Sequence, residues 1–153
     1  MNLSVRLARH CSFSYNTSMN PDYQNFNKQF IERTGRSLSF AVQLADFSSF
    51  KIGGKADLFF EATSLNELIE ALRVARSNSI PYYVVGGGFN LLFDDLGFRG
   101  LIIKNSVEGV DMSGGDRITV KTGTSLKDML GFCARKSLAG LEFLAGIPGT
   151  VGG

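Results

Sequence analysis

Hydrophobic and polar positions along this chain change rhythm several times, and each rhythm predicts an element. In "YQNFNKQFIERTG" the apolar residues Phe26, Phe30 and Ile31 suit one side of a short amphipathic helix, with Gly35 as its stop. A folded pattern begins near Phe40. "ADLFFEA" reads as a strand. "SLNELIEALRVARSNSI" sets Leu65, Leu68, Ile69, Leu72 and Ala75 on one helical face. Ser64 and Glu67 form a capping box at its start. "YYVV", from Tyr82, is a short continuous apolar run of the kind buried on both sides of a sheet. Strand, helix and strand in this order predict a right-handed β-α-β unit with a parallel pair. "GLIIKN" supplies the next strand.

Alternation then takes over. "VEGVDM" and "RITVKTG", joined through Gly114-Gly115, predict an antiparallel ribbon with a tight turn. Arg117, Thr119 and Lys121 alternate with Ile118 and Val120, so one face is wet. A second helix follows, capped by Ser125, with Leu126, Met129, Leu130 and Cys133 facing inward. In "LEFLAGIPGTVGG" the "PGT" suits the start of a further helix, so the C-terminus reads as a truncation.

Residues 1–37 differ in composition from the rest. Arg6, Arg9 and several serines precede the first acidic residue, Asp22. This predicts a poorly ordered extension or an overlong start, with a transit peptide as the other reading. The folded domain is expected over residues 38–153. At 153 residues the chain suits one domain with a real core. A net charge of +2, with both signs interspersed, offers no basic stripe for nucleic acid. No apolar run approaches the length of a membrane span. Cys11 and Cys133 form no metal or redox motif with the single histidine, His10. They read as free thiols of a reducing, cytoplasmic compartment.

Glycine is distributed unevenly: fifteen of eighteen lie from Gly86 onward, so the second half must hold tight turns or backbone that touches a ligand. "YYVVGGGFNLLFDD" drives a strand straight into Gly86, Gly87 and Gly88. The loop is not a Walker A motif, since no Gly-Lys-Ser/Thr follows. It is not the dinucleotide fingerprint either, because Leu91 stands at the third glycine position. It still offers successive N–H groups that can form an anion-binding nest, with the Asn90 amide beside them. A tight strand-to-loop turn is the alternative. "FKIGG" (Phe50 to Gly54) and "AGIPGTVGG" (Ala145 to Gly153) add two further glycine segments. Together the three make a candidate cleft for an extended nucleotide.

In order and spacing these segments resemble the UDP-N-acetylenolpyruvoylglucosamine reductase family, flavoenzymes of peptidoglycan precursor synthesis. "FSSFKIGGKADLFFEATSLNELIEALRVARSNSIPYYVVGGGFNLLF" is similar to the family's opening region and "GFRGLIIKN" to the segment after its pyrophosphate loop. "GLEFLAGIPGTVGG" is close to its most specific string. The similarity covers residues 40–153 and roughly the first half of a family member. It implies an α+β (α/β) FAD-binding domain of the PCMH or vanillyl-alcohol-oxidase type, built from two α/β subdomains, here truncated and without the substrate-binding domain.

By the same resemblance Gly86, Gly87, Gly88, Phe89, Asn90 and Leu91 would meet the FAD pyrophosphate. Ile52 and Gly53 would lie near that loop, and Gly146, Ile147, Pro148, Gly149, Thr150 and Gly152 near the flavin. The family uses NADPH and FAD to reduce the enolpyruvyl ether of a UDP-sugar, as cytoplasmic monomers serving cell wall biogenesis, cell shape and cell division. Its catalytic serine, arginine and glutamate map to no residue here, so the chain by itself is expected to be inactive. Two departures stand out: Phe89 where the glycine loop has serine, and Phe47 at the first polar position of the "NTTFKIGG" type. Another flavin oxidoreductase of the same fold, or a non-catalytic or remnant nucleotide-binding domain, are the other readings.

Overall fold

A computed structural model describes residues 21–153. Helix α1 (Pro21–Thr34) is followed by strand β1 (Ser39–Gln43) and a 3-10 turn (Leu44–Phe47). Then come β2 (Lys55–Ala62), α2 (Leu65–Ser77), β3 (Tyr82–Val85) and β4 (Phe98–Asn105). A smaller unit holds β5 (Val110–Gly114), β6 (Arg117–Val120), α3 (Leu126–Arg135) and a 3-10 turn (Glu142–Leu144). The main sheet runs β1-β2-β4-β3, and β5-β6 form a separate antiparallel ribbon.

Several expectations hold. Helix α2 carries the full capping box: Ser64 Oγ accepts the Glu67 N–H, and Glu67 Oε2 accepts the Ser64 N–H at 3.2 Å. Helix α3 starts at Ser125, whose side chain accepts the Asp128 N–H at 3.0 Å. Met129 and Cys133 are its buried residues.

Others are corrected. β2 and β3 do not pair with each other; β4 lies between them, parallel to both. β3 therefore sits at the sheet edge, with Tyr83 37% and Val84 39% exposed, instead of being buried on both sides. Its apolar run marks a strand, but a continuous run cannot distinguish centre from edge. No helix begins at Pro148; a bend at Gly149, a bridge at Thr150 and a turn at Val151-Gly152 stand there instead. Helix α1 belongs to the core although it falls within the 1–37 stretch. The tract expected to be loosely ordered is thus packed from Tyr23 onward, because Phe26 and Phe30 have a sheet face to cover; residues 1–20, with Cys11 and His10, lie outside the described residues.

The core has two parts, one on each face of the sheet. Leu58, Phe60, Leu101 and Ile103 meet α1 and α2 through Phe26, Phe30, Ala71, Val74 and Ala75. The Phe30 and Phe60 rings meet edge to face with centroids 4.8 Å apart. Full burial of a side chain such as Phe30 stabilises by about 1.5–3 kcal/mol. The second face holds Leu44, Phe59, Val85 and Ile102. A register shift between Ala56 and Leu58 breaks strict alternation and places Ala56 there as well. Among the described residues no α-helix covers this face. Phe47, Leu91, Phe93 and Phe98 do, so the segment after the triple glycine is itself part of the core cover. Among the described residues no helix is long and apolar enough to cross a membrane.

Candidate functional site

The triple glycine leaves the carboxyl end of β3, the end of a parallel sheet where ligands usually bind. Each of its three missing side chains is accounted for within the molecule. A Cβ on Gly86 would lie 2.5 Å from Thr150 Oγ1. One on Gly87 would lie 2.7 Å from the Phe89 ring. One on Gly88, whose φ is +69°, would lie 2.0 Å from the Phe47 carbonyl oxygen. The open space that glycine provides is filled by the chain itself, which favours the turn reading for the Cβ positions.

The main-chain polar groups behave differently. The carbonyls of Gly88, Phe89, Leu91 and Asp94 all accept hydrogen bonds from within the chain. Apart from the turn at Phe89–Asn90, no backbone N–H from Gly86 to Asp95 has a hydrogen bond among the described residues. The loop turns these four acceptors inward and keeps most of its donors. Gly87, Phe89 and Asn90 are exposed. Such a donor-rich backbone suits an anion, and in particular a diphosphate with several oxygens in reach.

The other two segments differ in how far they join this loop. Gly53 is buried, and a Cβ there would lie 2.6 Å from Phe93 Cβ. Gly54 N–H donates to the Asp94 carbonyl at 2.8 Å, so "FKIGG" is sewn to the far end of the glycine loop. Ile52 is 49% exposed beside it. From the third segment Thr150 reaches the loop, at Gly86. Gly152 packs on Thr122 and its N–H donates to the Thr122 carbonyl, while the Ile147 N–H donates to Leu144. Gly146 and Gly149 face open space, and Ile147 and Pro148 are exposed. An isolated bridge between Ser125 and Thr150 ties this segment to the start of α3.

Cationic charge near the loop is sparse, and Asp94 and Asp95 close its far end. Phe47, which abuts Gly88, stacks on Phe59 with centroids 4.5 Å apart and carries Lys104 Nζ 5.7 Å from its ring centre. Lys104 is itself paired with Glu61 at 2.8 Å. That hydrogen bond, with a second from the Ser106 hydroxyl, holds the Glu61 carboxyl below its ordinary value. Backbone dipoles, not a cationic side chain, dominate the candidate site. Phe47 stands where a polar residue was expected because its ring serves the second core.

Sequence reasoning missed Ser48 and Ser49 as site residues. Ser48 is buried and donates to the Leu91 carbonyl at 2.7 Å; Ser49 donates to the Phe89 carbonyl at 3.1 Å. Two adjacent hydroxyls just before "FKIGG" were the available signal.

A family model described as "FAD binding domain" matches residues 56–153. The chain belongs to the FAD binding domain family. The match takes in β2, the glycine loop and the C-terminal segment. The chain is 39% identical over 132 residues to the UDP-N-acetylenolpyruvoylglucosamine reductase of Clostridium botulinum (strain Hall), covering 86% of this chain and 43% of that protein. It is 40% identical over 117 residues to the enzyme of the same name from Chlamydia trachomatis serovar L2, covering 76% and 40%. Among solved structures, a crystal structure of UDP-N-acetylenolpyruvylglucosamine reductase (MurB) from Thermus caldophilus matches with a TM-score of 0.57 and 35% identity. That match covers 73% of this chain and 39% of the other. The chain thus spans about two fifths of the length of these relatives.

Proposed function

We propose that this chain is the FAD-holding part of an NADPH-dependent reductase that converts UDP-N-acetylglucosamine enolpyruvate to UDP-N-acetylmuramate in peptidoglycan synthesis. Membership of the FAD binding domain family and the names of the relatives support the reading. The observation that carries it is the asymmetry of the Gly86–Asp95 loop, in which the carbonyls of Gly88, Phe89, Leu91 and Asp94 accept hydrogen bonds while, apart from the Phe89–Asn90 turn, the amides stay available as donors. That asymmetry fits a diphosphate.

In this reading the amides of Gly86, Gly87, Gly88, Phe89, Asn90 and Leu91 receive the diphosphate. Gly53 and Ile52 fix the far end of the loop, and Thr150 fixes its start. Gly146, Ile147, Pro148, Gly149 and Gly152 form the flank on the flavin side. When bound, FAD supplies hydride transfer between NADPH and the enolpyruvyl ether. The chain's own residues bind and orient it; none is assigned a part in the chemical step, and the chain by itself is inactive as a reductase. The protein works in the cytoplasm as a monomer on a small-molecule substrate, with neither nucleic acid nor membrane as partner, and its product serves cell wall growth, cell shape and division.

The test is a titration of FAD into the purified chain, followed by flavin absorbance and fluorescence and then by dialysis. Saturable quenching that FAD restores after dialysis supports the reading. Flavin fluorescence unchanged at every protein concentration contradicts it.

A further inference from the structure

Three carbonyls of the glycine loop are held from one side. Ser48 Oγ donates to the Leu91 carbonyl at 2.7 Å, and Ser49 Oγ donates to the Phe89 carbonyl at 3.1 Å. The Ser49 N–H donates to the Gly88 carbonyl at 3.1 Å. Ser48 is 2% exposed, and its oxygen also accepts the Phe50 N–H at 3.2 Å, so its hydroxyl is fixed in both roles. A planar trans peptide points its C=O and the following N–H in opposite directions. Turning the carbonyls of Gly88, Phe89 and Leu91 toward residues 48 and 49 therefore turns the N–H groups of Phe89, Asn90 and Leu92 away from them. Without these contacts each peptide plane could rotate, and the donors would lose their common direction.

We infer that Ser48 and Ser49 are positioning residues for the dinucleotide: they touch no phosphate, Ser49 pre-orients the Phe89 and Asn90 N–H groups that do, and Ser48 anchors the end of that loop through the Leu91 carbonyl. The inference rests on the proposed FAD binding. It assigns the "SSFK" segment a task separate from that of the glycines. Preorganised donors bind more tightly than donors that must first be ordered, because the ordering cost is met in folding.

The experiment compares FAD affinity and thermal midpoint for the parent chain and four variants. Ser49→Ala should weaken FAD binding by roughly 3- to 10-fold, the equivalent of one hydrogen bond. Its melting should be unchanged, because Ser49 is exposed. Ser49→Thr keeps a hydroxyl and should keep the affinity. Ser48→Ala should lose affinity and also melt earlier, since it strips a buried donor from Leu91; Ser48→Thr should recover both. An affinity unchanged in both alanine variants overturns the inference. So does a loss in Ser49→Ala that tracks a fall in melting and is not recovered by threonine, since that is the mark of a merely structural contact. A parent chain that does not bind FAD at all overturns this inference together with the proposed function.

Discussion

Thr150 stands where a side chain on Gly86 would begin: a Cβ built on Gly86 lies 2.5 Å from Thr150 Oγ1. Sixty-four positions separate them (150 − 86), and this contact joins the end of β3 to the C-terminal glycine segment. Gly86→Ala should therefore destabilise the fold by about 1–3 kcal/mol through overpacking. Thr150→Ala removes the oxygen in the way, so the double variant should recover about half of the loss or more. Urea unfolding of the four proteins measures the cycle. Strict additivity would show that the two residues are not in contact.

Gly88 is under a harder constraint. Its φ is +69°, and a Cβ there would meet the Phe47 carbonyl oxygen at 2.0 Å, a backbone atom that cannot swing aside. Gly88→Ala should cost about 3 kcal/mol or more, combining a clash with left-handed strain. A urea midpoint close to that of the parent would contradict this placement of the loop.

Phe89 replaces the serine of the family pattern, and its ring rests against Gly87. A hydroxyl there would add a donor beside a charged phosphate, worth about 1.5–3 kcal/mol. Phe89→Ser should tighten FAD binding about tenfold or more. Isothermal titration measures this, and an affinity that stays the same or falls contradicts the account of the loop's side chain.

Stability should fall in acid through Glu61. Hydrogen bonds from Lys104 and Ser106 lower its folded pKa below the ordinary 4.5. A depressed carboxylate contributes stability above its unfolded pKa and loses it as pH falls through the folded one. Glu61→Gln should flatten the acid limb of the stability curve below about pH 5. At the other end, burial and the Asp57 carboxylate push Tyr23 from 10.0 up to about 12. A raised phenol contributes stability below its unfolded pKa and loses it as pH rises through the folded value. Tyr23→Phe should therefore soften the decline above pH 10. Unfolding midpoints across pH test both, and parallel curves for parent and variants would refute them.

Much of this fold could be read from periodicity. The Ser64–Glu67 box, the α3 face and the ribbon around Gly114-Gly115 are local features, and local chemistry suffices to specify them; the α2 face was read only in part, since Leu65 and Ile69 are exposed and Ala71, Val74 and Ala75 are the buried residues. What periodicity could not supply was sheet order. Tyr82 to Val85 pair with β4, and nothing in "YYVV" tells an edge from a centre. Helix α1 was legible as a helix but not as core, because the partner of Phe30 is Phe60, in a strand distant in sequence. At the candidate site the glycine clusters marked a loop, yet the reasons for Gly86 and Gly88 lie in remote atoms, Thr150 Oγ1 and the Phe47 carbonyl, and Gly87 alone answers to a near neighbour, the Phe89 ring. Ser48 and Ser49 went unassigned for the same reason, since their acceptors lie 43 and 40 positions away.

The central claim is that the outward N–H groups of the loop after β3 receive a diphosphate. Proton–nitrogen correlation spectra of the isotopically labelled chain, recorded during an FAD titration, test it residue by residue. The account predicts that the largest shifts fall on the amides of Gly86 to Leu91. If those amides stay in place while the largest shifts fall elsewhere, for example on Gln24, Asn27 and Lys28 in the groove of about 290 Å³ beside Phe40, the claim fails.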